Sequence, residues 1–225
     1  MFLKVDRDGP VTTILLDRPR KAHAYHPAML DELEAAVAGL ETPVVVVGST
    51  GEGAFCGGAD LDALTLADPL SPLDLQSQRV FDRLARSPAI SIGVVQGAAI
   101  AGGCELALAC DVRVVGPRAR FALPETSLGI IPTAGGCTRL PRLVGMARAK
   151  QMILLGYSID AQTAVDWGLA IELVDDPLAR AQTIAAAAAQ RDPVASRLAK
   201  QVLDGVDGLG AERIAEALLY HRKQG

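Results

Sequence analysis

The stretch Ile90–Val115 reads ISIGVVQGAAIAGGCELALACDVRVV, and it decides the fold. Ile90–Val95 is a short apolar run that suits a buried strand. A turn rich in glycine and alanine follows. It leads into a helix near Gly103–Cys110, and Val112–Val115 returns as a strand. Strand, turn, helix and strand in close succession place the chain among α/β proteins.

The pattern extends upstream. Val11–Leu16 is an apolar run after Gly9-Pro10, and Asp17–Lys21 is a polar loop. Pro27 opens a helix, since proline is tolerated in the first turn. Met29, Leu30, Leu33, Val37 and Leu40 form its apolar face, and Pro43 stops it. The four consecutive valines Val44–Val47 suit a strand covered on both faces. A glycine-rich loop, Gly48–Gly58, comes next. Asp68–Pro72 is a proline-rich break, and Leu73–Arg86 has helical spacing. Downstream, Phe121–Arg142 reads as loop-rich. Helices are expected at Ala147–Leu155, Ala161–Trp167, Leu178–Gln190, Pro193–Leu203 and Ala211–Tyr220. The order implies an α/β core over residues 1–145 and a helical C-terminal subdomain over 146–225.

Of the 225 residues, 50% are hydrophobic and only 4% aromatic, so the core is aliphatic. The net charge of −4 gives no general basic footprint for nucleic acid. Cys56, Cys104, Cys110 and Cys137 lack C-x-x-C spacing, and the three histidines stand apart from them. No zinc site is expected, and no disulfides, because two of these cysteines lie in apolar runs that read as core. Met1–Val5 lacks the long apolar segment of a signal peptide. The most apolar stretch, Ile90–Cys110, carries Gln96 and Glu105, which argues against a membrane span. The expected location is cytoplasmic.

Two loops carry candidate chemistry. GEGAFCGGAD, Gly51–Asp60, follows the valine strand, and its glycines let backbone approach a ligand closely. Its spacing fits neither a dinucleotide fingerprint nor a phosphate-binding P-loop. QGAAIAGGCELA, Gln96–Ala107, enters a helix whose first N–H groups are free and partly positive. Each loop alone is equally readable as a packing turn. If their strands are parallel neighbours, the loops meet at one sheet edge, where two N–H groups would form an oxyanion hole.

Two carboxylates lie among apolar residues. Glu105 follows the second loop, and Glu125 sits in FALPET, Phe121–Thr126. A buried glutamate needs a partner or a task. Glu105 alone is also readable as a helix-start residue stabilised by the dipole, and Glu125 as a loop carboxylate paired to Arg139 or Arg142. Together, beside one oxyanion hole, they would hold a water and exchange protons with it.

These residues resemble the enoyl-CoA hydratase/isomerase family, the crotonases. The resemblance runs collinearly from about Val11 to Lys200. It rests on AFCGGADL, GGCELALACDVRV, FALPETSLGIIPTAGGCTRLPRLVG and LLGYSIDAQTAVDWGLAIELV. It implies a crotonase-like ββα spiral core with C-terminal helices, and a 2-enoyl-CoA hydratase as the activity. The N–H groups of Ala59 and Gly102 would hold the thioester oxygen. Glu125 would deliver a proton to the α-carbon, and Glu105 would orient and activate the water. The CoA moiety would lie along Lys21, Ala22, Ala24, Ala59, Asp60 and Leu61. No metal or redox cofactor is implied, since CoA is part of the substrate. A homotrimer, or a hexamer of paired trimers, is the implied assembly.

The chain departs from the family pattern in several places. His23 stands where an asparagine usually braces the CoA-side loop, and it reads here as a solvated loop histidine. Ala101 replaces the first glycine of the usual three, a tolerable change for so small a side chain. The connection between Leu40 and Val44 is short. The chain stops at Gly225, which implies a shortened helical cover over the acyl pocket and weakens the expectation of trimers. Acyl preference would depend on side chains between Leu61 and Leu84. Other reactions on the same thioester scaffold, such as isomerisation or hydrolysis, remain open, as does a non-catalytic helper of a partner enzyme.

Overall fold

The computed structural model describes residues 1–60, 75–205 and 209–224. Its larger sheet runs in the order β1 (Leu3–Asp8), β2 (Val11–Leu16), β3 (Val44–Ser49), β4 (Ile90–Val95), β6 (Val112–Val115) and β9 (Glu172–Leu173). β1 and β2 form an antiparallel hairpin, and every later neighbour pair is parallel. A smaller sheet joins β5 (Ala98–Ile100), β7 (Arg120–Ala122) and β8 (Ile159–Asp160). This is the mixed α/β architecture that the sequence leads one to expect.

The valine run shows why the large sheet is buried on both sides. Successive side chains alternate between faces. Val45 and Val47 enter the main core, with α1 (Pro27–Ala38), α2 (Gln76–Ala85) and α3 (Gly102–Leu108). Val44 and Val46 face the other way, where Ile92, Val94 and Val114 meet Ala181 and Ala185 of α7 (Pro177–Ala189). Alanines on α7 let the helix lie close against the sheet. All four valines are fully buried, so each adds roughly 1.5–3 kcal/mol of burial.

Three expectations need correction. Phe121–Arg142 is more ordered than a loop: it contains β7, a 3-10 turn at Glu125–Leu128 and the start of α4 (Gly136–Val144). Pro141 lies inside α4, late in a helix of nine residues that ends three residues later. β1 was not expected, because Leu3 and Val5 are the only apolar residues among its six and Leu3 alone is buried. β8 and β9 are two-residue strands within the mostly helical last third, alongside α5 (Met146–Leu154), α6 (Ala161–Asp166), α8 (Pro193–Gly205) and α9 (Leu209–Gln224).

A buried arginine fixes the end of α3. Arg113, 3% exposed, donates to the carbonyls of Ala107, Cys110, Asp111 and Leu169. The last carbonyls of a helix lack partners within it and carry partial negative charge, so a guanidinium there satisfies both needs. Replacement of Arg113 by Met would leave these acceptors dry and unpaired. Arg113→Met is expected to lower stability by about 3 kcal/mol in urea denaturation. A change within experimental error would show that water replaces the guanidinium at no cost.

Candidate active site

The CoA-side loop and the first glycine loop are clasped together. The Gly57 N–H donates to the carbonyl of Ala22 over 2.9 Å, and Arg18 pairs with Asp60 at 2.9 Å. Arg18 also donates to the carbonyl of Ala24. Tyr25 and Ala59 form a parallel bridge: the Tyr25 N–H donates to Gly58 and the Asp60 N–H to Tyr25, both at 2.8 Å. In such a bridge the N–H of the middle residue points away from its partner strand. The Ala59 N–H therefore faces the opposite side, and it meets no acceptor among the described residues.

His23 is corrected from a solvated residue to a buried one, 1% exposed. Ala22 and His23 both adopt left-handed backbone, φ 49° and 55°, and the turn carries the imidazole inward. Its Nδ1 accepts from the Arg18 N–H at 3.0 Å, and burial lowers its pKa, so the ring braces the loop as a neutral acceptor. Lys21 and Ala22 are exposed, and Ala24 is partly buried. Leu61, and most of the span to Leu84 expected to shape the acyl pocket, lie outside the described residues.

The second glycine loop lies against the first. Cys56 and Ala99 form a parallel bridge, in which the Ile100 N–H donates to Cys56 at 3.0 Å. A Cβ on Gly103 would lie 2.0 Å from the Cys56 carbonyl oxygen, so only glycine permits this approach. A Cβ on Gly58 would lie 3.3 Å from the Gly102 nitrogen. The Gly102 N–H, at the start of α3, meets no acceptor among the described residues. The two loops expected to meet do so. Their contact runs through β5 and the small sheet as well as through the neighbouring strands β3 and β4.

The small sheet also brings the two acids together. β5 and β7 are parallel neighbours, with Ile100 opposite Ala122, and the ladder continues as the Ala101 N–H donates to Ala122. One strand leads into α3 and Glu105, and the other through Pro124 to Glu125. Both leave by the same edge. Glu105 is 3% exposed, and its Oε1 accepts from the N–H groups of Ala134 and Gly136 at 2.7 and 2.8 Å. Burial raises its pKa, against the pull of those two donors and of Arg139. Glu125 is 6% exposed, and its Oε2 is buried with no partner among the described residues. Burial, with the nearby Glu105 charge, raises its pKa to about 7.

The alternative readings of these acids do not hold. Arg139 donates to Asp82 and to the Ala134 carbonyl, not to Glu125, and so braces the turn whose amides hold Glu105. Glu105 sits in the first turn of α3, but its carboxylate reaches across to another turn. The environments of the two acids differ. Burial raises the pKa of both acids; two amides of another turn pull against it at Glu105, and Glu125, with its own backbone N–H as donor, is pushed up to about 7. Sequence reasoning missed Tyr25, whose side chain abuts Gly102 and feels the charges of both acids. Its only signal was an aromatic residue just after the CoA-side loop.

Residues 6–206 match the model of the enoyl-CoA hydratase/isomerase family. The chain is 40% identical to a 2,3-dehydroadipyl-CoA hydratase of Escherichia coli, over 89% of this chain and 81% of that one. An enoyl-CoA hydratase structure from Bacillus anthracis superposes with a TM-score of 0.92 at 35% identity, covering 98% of this chain and 92% of the other. A structure from Thermobifida fusca described as a putative enoyl-CoA hydratase in complex with CoA superposes with a TM-score of 0.90 at 30% identity, covering 100% and 95%. Among the described residues no helix is long and apolar enough to cross a membrane.

The Glu125 environment has a consequence for stability. Its pKa is raised from 4.5 to about 7 on folding. The folded protein thus binds the proton more tightly than the unfolded chain. Stability from this group is greatest below the unfolded value, falls as pH rises between the two, and is flat above the folded one. Glu125→Gln removes that dependence. Relative to the parent, the variant is expected to be about 3 kcal/mol more favourable at pH 8.5 than at pH 4. Denaturant curves at both pH values check this, and an equal difference at both would refute a raised Glu125 pKa.

Proposed function

The chain belongs to the enoyl-CoA hydratase/isomerase family and is an enoyl-CoA hydratase, and we propose that Glu105 and Glu125 add water across the 2,3 double bond of a trans-2-enoyl-CoA. The observation that carries this reading is a pair of buried glutamates whose charges both act on Tyr25, the residue that bridges Ala59 and abuts Gly102. The thioester oxygen accepts from both amides. Their hydrogen bonds strengthen as the carbonyl becomes enolate-like, which lowers the barrier rather than merely binding the substrate. Glu105, held by the Ala134 and Gly136 amides, orients the water and takes up its proton as oxygen attacks the β-carbon. Glu125 delivers a proton to the α-carbon. A pKa near neutrality suits a group that must give up a proton at physiological pH.

The CoA moiety lies along Lys21, Ala22 and Ala24 and on toward Ala59 and Asp60. The clasp between these loops supports this path, because it ties CoA placement to the amides that receive the thioester. The chemistry draws on no metal or redox cofactor, and CoA enters only with the substrate. Three buried free thiols, Cys56, Cys104 and Cys110, are consistent with a reducing, cytoplasmic setting.

The assembly we propose is a homotrimer, or a hexamer made of two. Leu128, Ile130, Ile131, Leu154, Leu155 and Tyr157 are each more than half exposed. Thr126 donates to the Ile153 carbonyl and joins the two segments that carry them. An apolar face of this kind suits burial against another copy. Sedimentation velocity is expected to show a trimer or hexamer, and Leu155→Asp to shift it toward monomer. A monomeric parent protein would refute the assembly.

Hydration is read from the loss of enoyl-thioester absorbance with crotonyl-CoA. Glu105→Gln and Glu125→Gln are each expected to lower kcat by at least about a hundredfold. Parent-like rates in either variant would sink the two-acid mechanism. A protein that binds CoA but hydrates no enoyl-CoA would instead favour an isomerase or a helper.

A further inference from the structure

Tyr25 stands inside the site and has no part in the chemistry above. Its backbone bridges to Ala59, and its ring packs edge-on against Phe81 with centroids 5.6 Å apart. Both ends of the residue are thereby fixed, and the direction of the phenol follows from them. Within a helix the Cα–Cβ bonds and the backbone N–H groups both lean toward the N-terminus. The volume that a side chain on Gly102 would fill therefore adjoins the space in front of the Gly102 N–H. The Tyr25 hydroxyl oxygen lies 1.9 Å from the point where that Cβ would stand. The phenol thus occupies the place that the glycine leaves open, beside one of the two free amides.

The surroundings define what this hydroxyl can do. Ser77 is its polar neighbour, and the charges of Glu105 and Glu125 both act on it. Burial raises its pKa above the ordinary tyrosine value, so it keeps its proton across the physiological range. A neutral phenol in a water-poor site is a strong donor to any oxygen that gains negative charge.

We propose that Tyr25 is a third hydrogen-bond donor to the thioester oxygen, its O–H joining the N–H groups of Ala59 and Gly102. The proposal rests on the hydratase reading. No bond to the phenol breaks, and its proton stays with it throughout. A donor aimed where charge develops acts on kcat more than on KM.

The test is Tyr25→Phe, which keeps the ring and its packing on Phe81. With crotonyl-CoA, kcat is expected to fall roughly tenfold to a hundredfold with KM little changed. Bound cinnamoyl-CoA supplies a second readout, since its absorbance moves to longer wavelength as the carbonyl is polarised. The variant is expected to show a smaller shift than the parent. Equal kcat and equal shift would overturn the proposal. So would an unchanged kcat with altered acyl-length preference, which would make Tyr25 a wall of the pocket. If the parent hydrates nothing, the hydratase reading fails, and the cinnamoyl-CoA shift still decides whether Tyr25 is a donor.

Discussion

The backbone of Cys56–Ala59 runs against that of Ala98–Gly102 with no room for a side chain at the closest point, and the site is built on that contact. The Cys56–Ala99 bridge sets the register of the two loops, and Gly103 lets them touch. Once they touch, Gly58 and the Gly102 nitrogen are close: a Cβ on Gly58 would lie 3.3 Å from that nitrogen. No long-range electrostatic steering is needed to bring them together. Local hydrogen bonds of the strand type suffice, each with a defined direction. The same contact seats the start of α3, and α3 places Glu105. One packing constraint thus positions both loops and one acid.

The second acid arrives by a different route that ends at the same place. β7 lies parallel to β5, so the chain beyond each strand leaves the small sheet by a common edge. Here the two carboxylates become unlike. Glu105 receives two amides from a turn that Arg139 braces, and Arg139 in turn is held by Asp82. Glu125 receives no such support at Oε2. Two identical side chains at similar depth thus sit among different donors: two amides of another turn for Glu105, its own backbone N–H for Glu125. Burial raises the pKa of both, and that of Glu125 to about 7.

The sequence made part of this legible. Four consecutive valines announce a strand covered on both faces, and they divide between two cores as the alternation requires. The glutamates stood out because charge is costly among Leu, Ala and Phe. The small sheet did not stand out. Ala98–Ile100 and Arg120–Ala122 are three residues each, too short to show a period, yet they determine where the acids meet. His23 was misread because polarity suggests solvent. Two successive left-handed residues, which composition does not reveal, turn it inward. Tyr25 was passed over for a related reason: its importance comes from the empty Cβ position of a glycine far along the chain.

Ala101 shows what the close contact demands of the backbone. It adopts φ 53°, ψ −127°, a conformation natural to glycine and strained by roughly 1–3 kcal/mol for a residue with a Cβ. Alanine's small size does not remove this strain, because the clash arises at the Cβ that every residue but glycine carries. The conformation persists because its neighbours determine it from both sides. The Ala101 N–H is committed to Ala122, and its carbonyl accepts from Glu105 at 3.1 Å. A relaxed backbone at 101 would rotate the peptide that follows, and with it the Gly102 N–H. The strain therefore sits at the joint between the small sheet and α3, and Arg113 anchors the far end of that helix by its carbonyls. A helix held at both ends transmits its placement to Glu105, midway along it, without adjustment. The same rigidity fixes the direction of the Gly102 N–H and the place of the Glu105 carboxylate together.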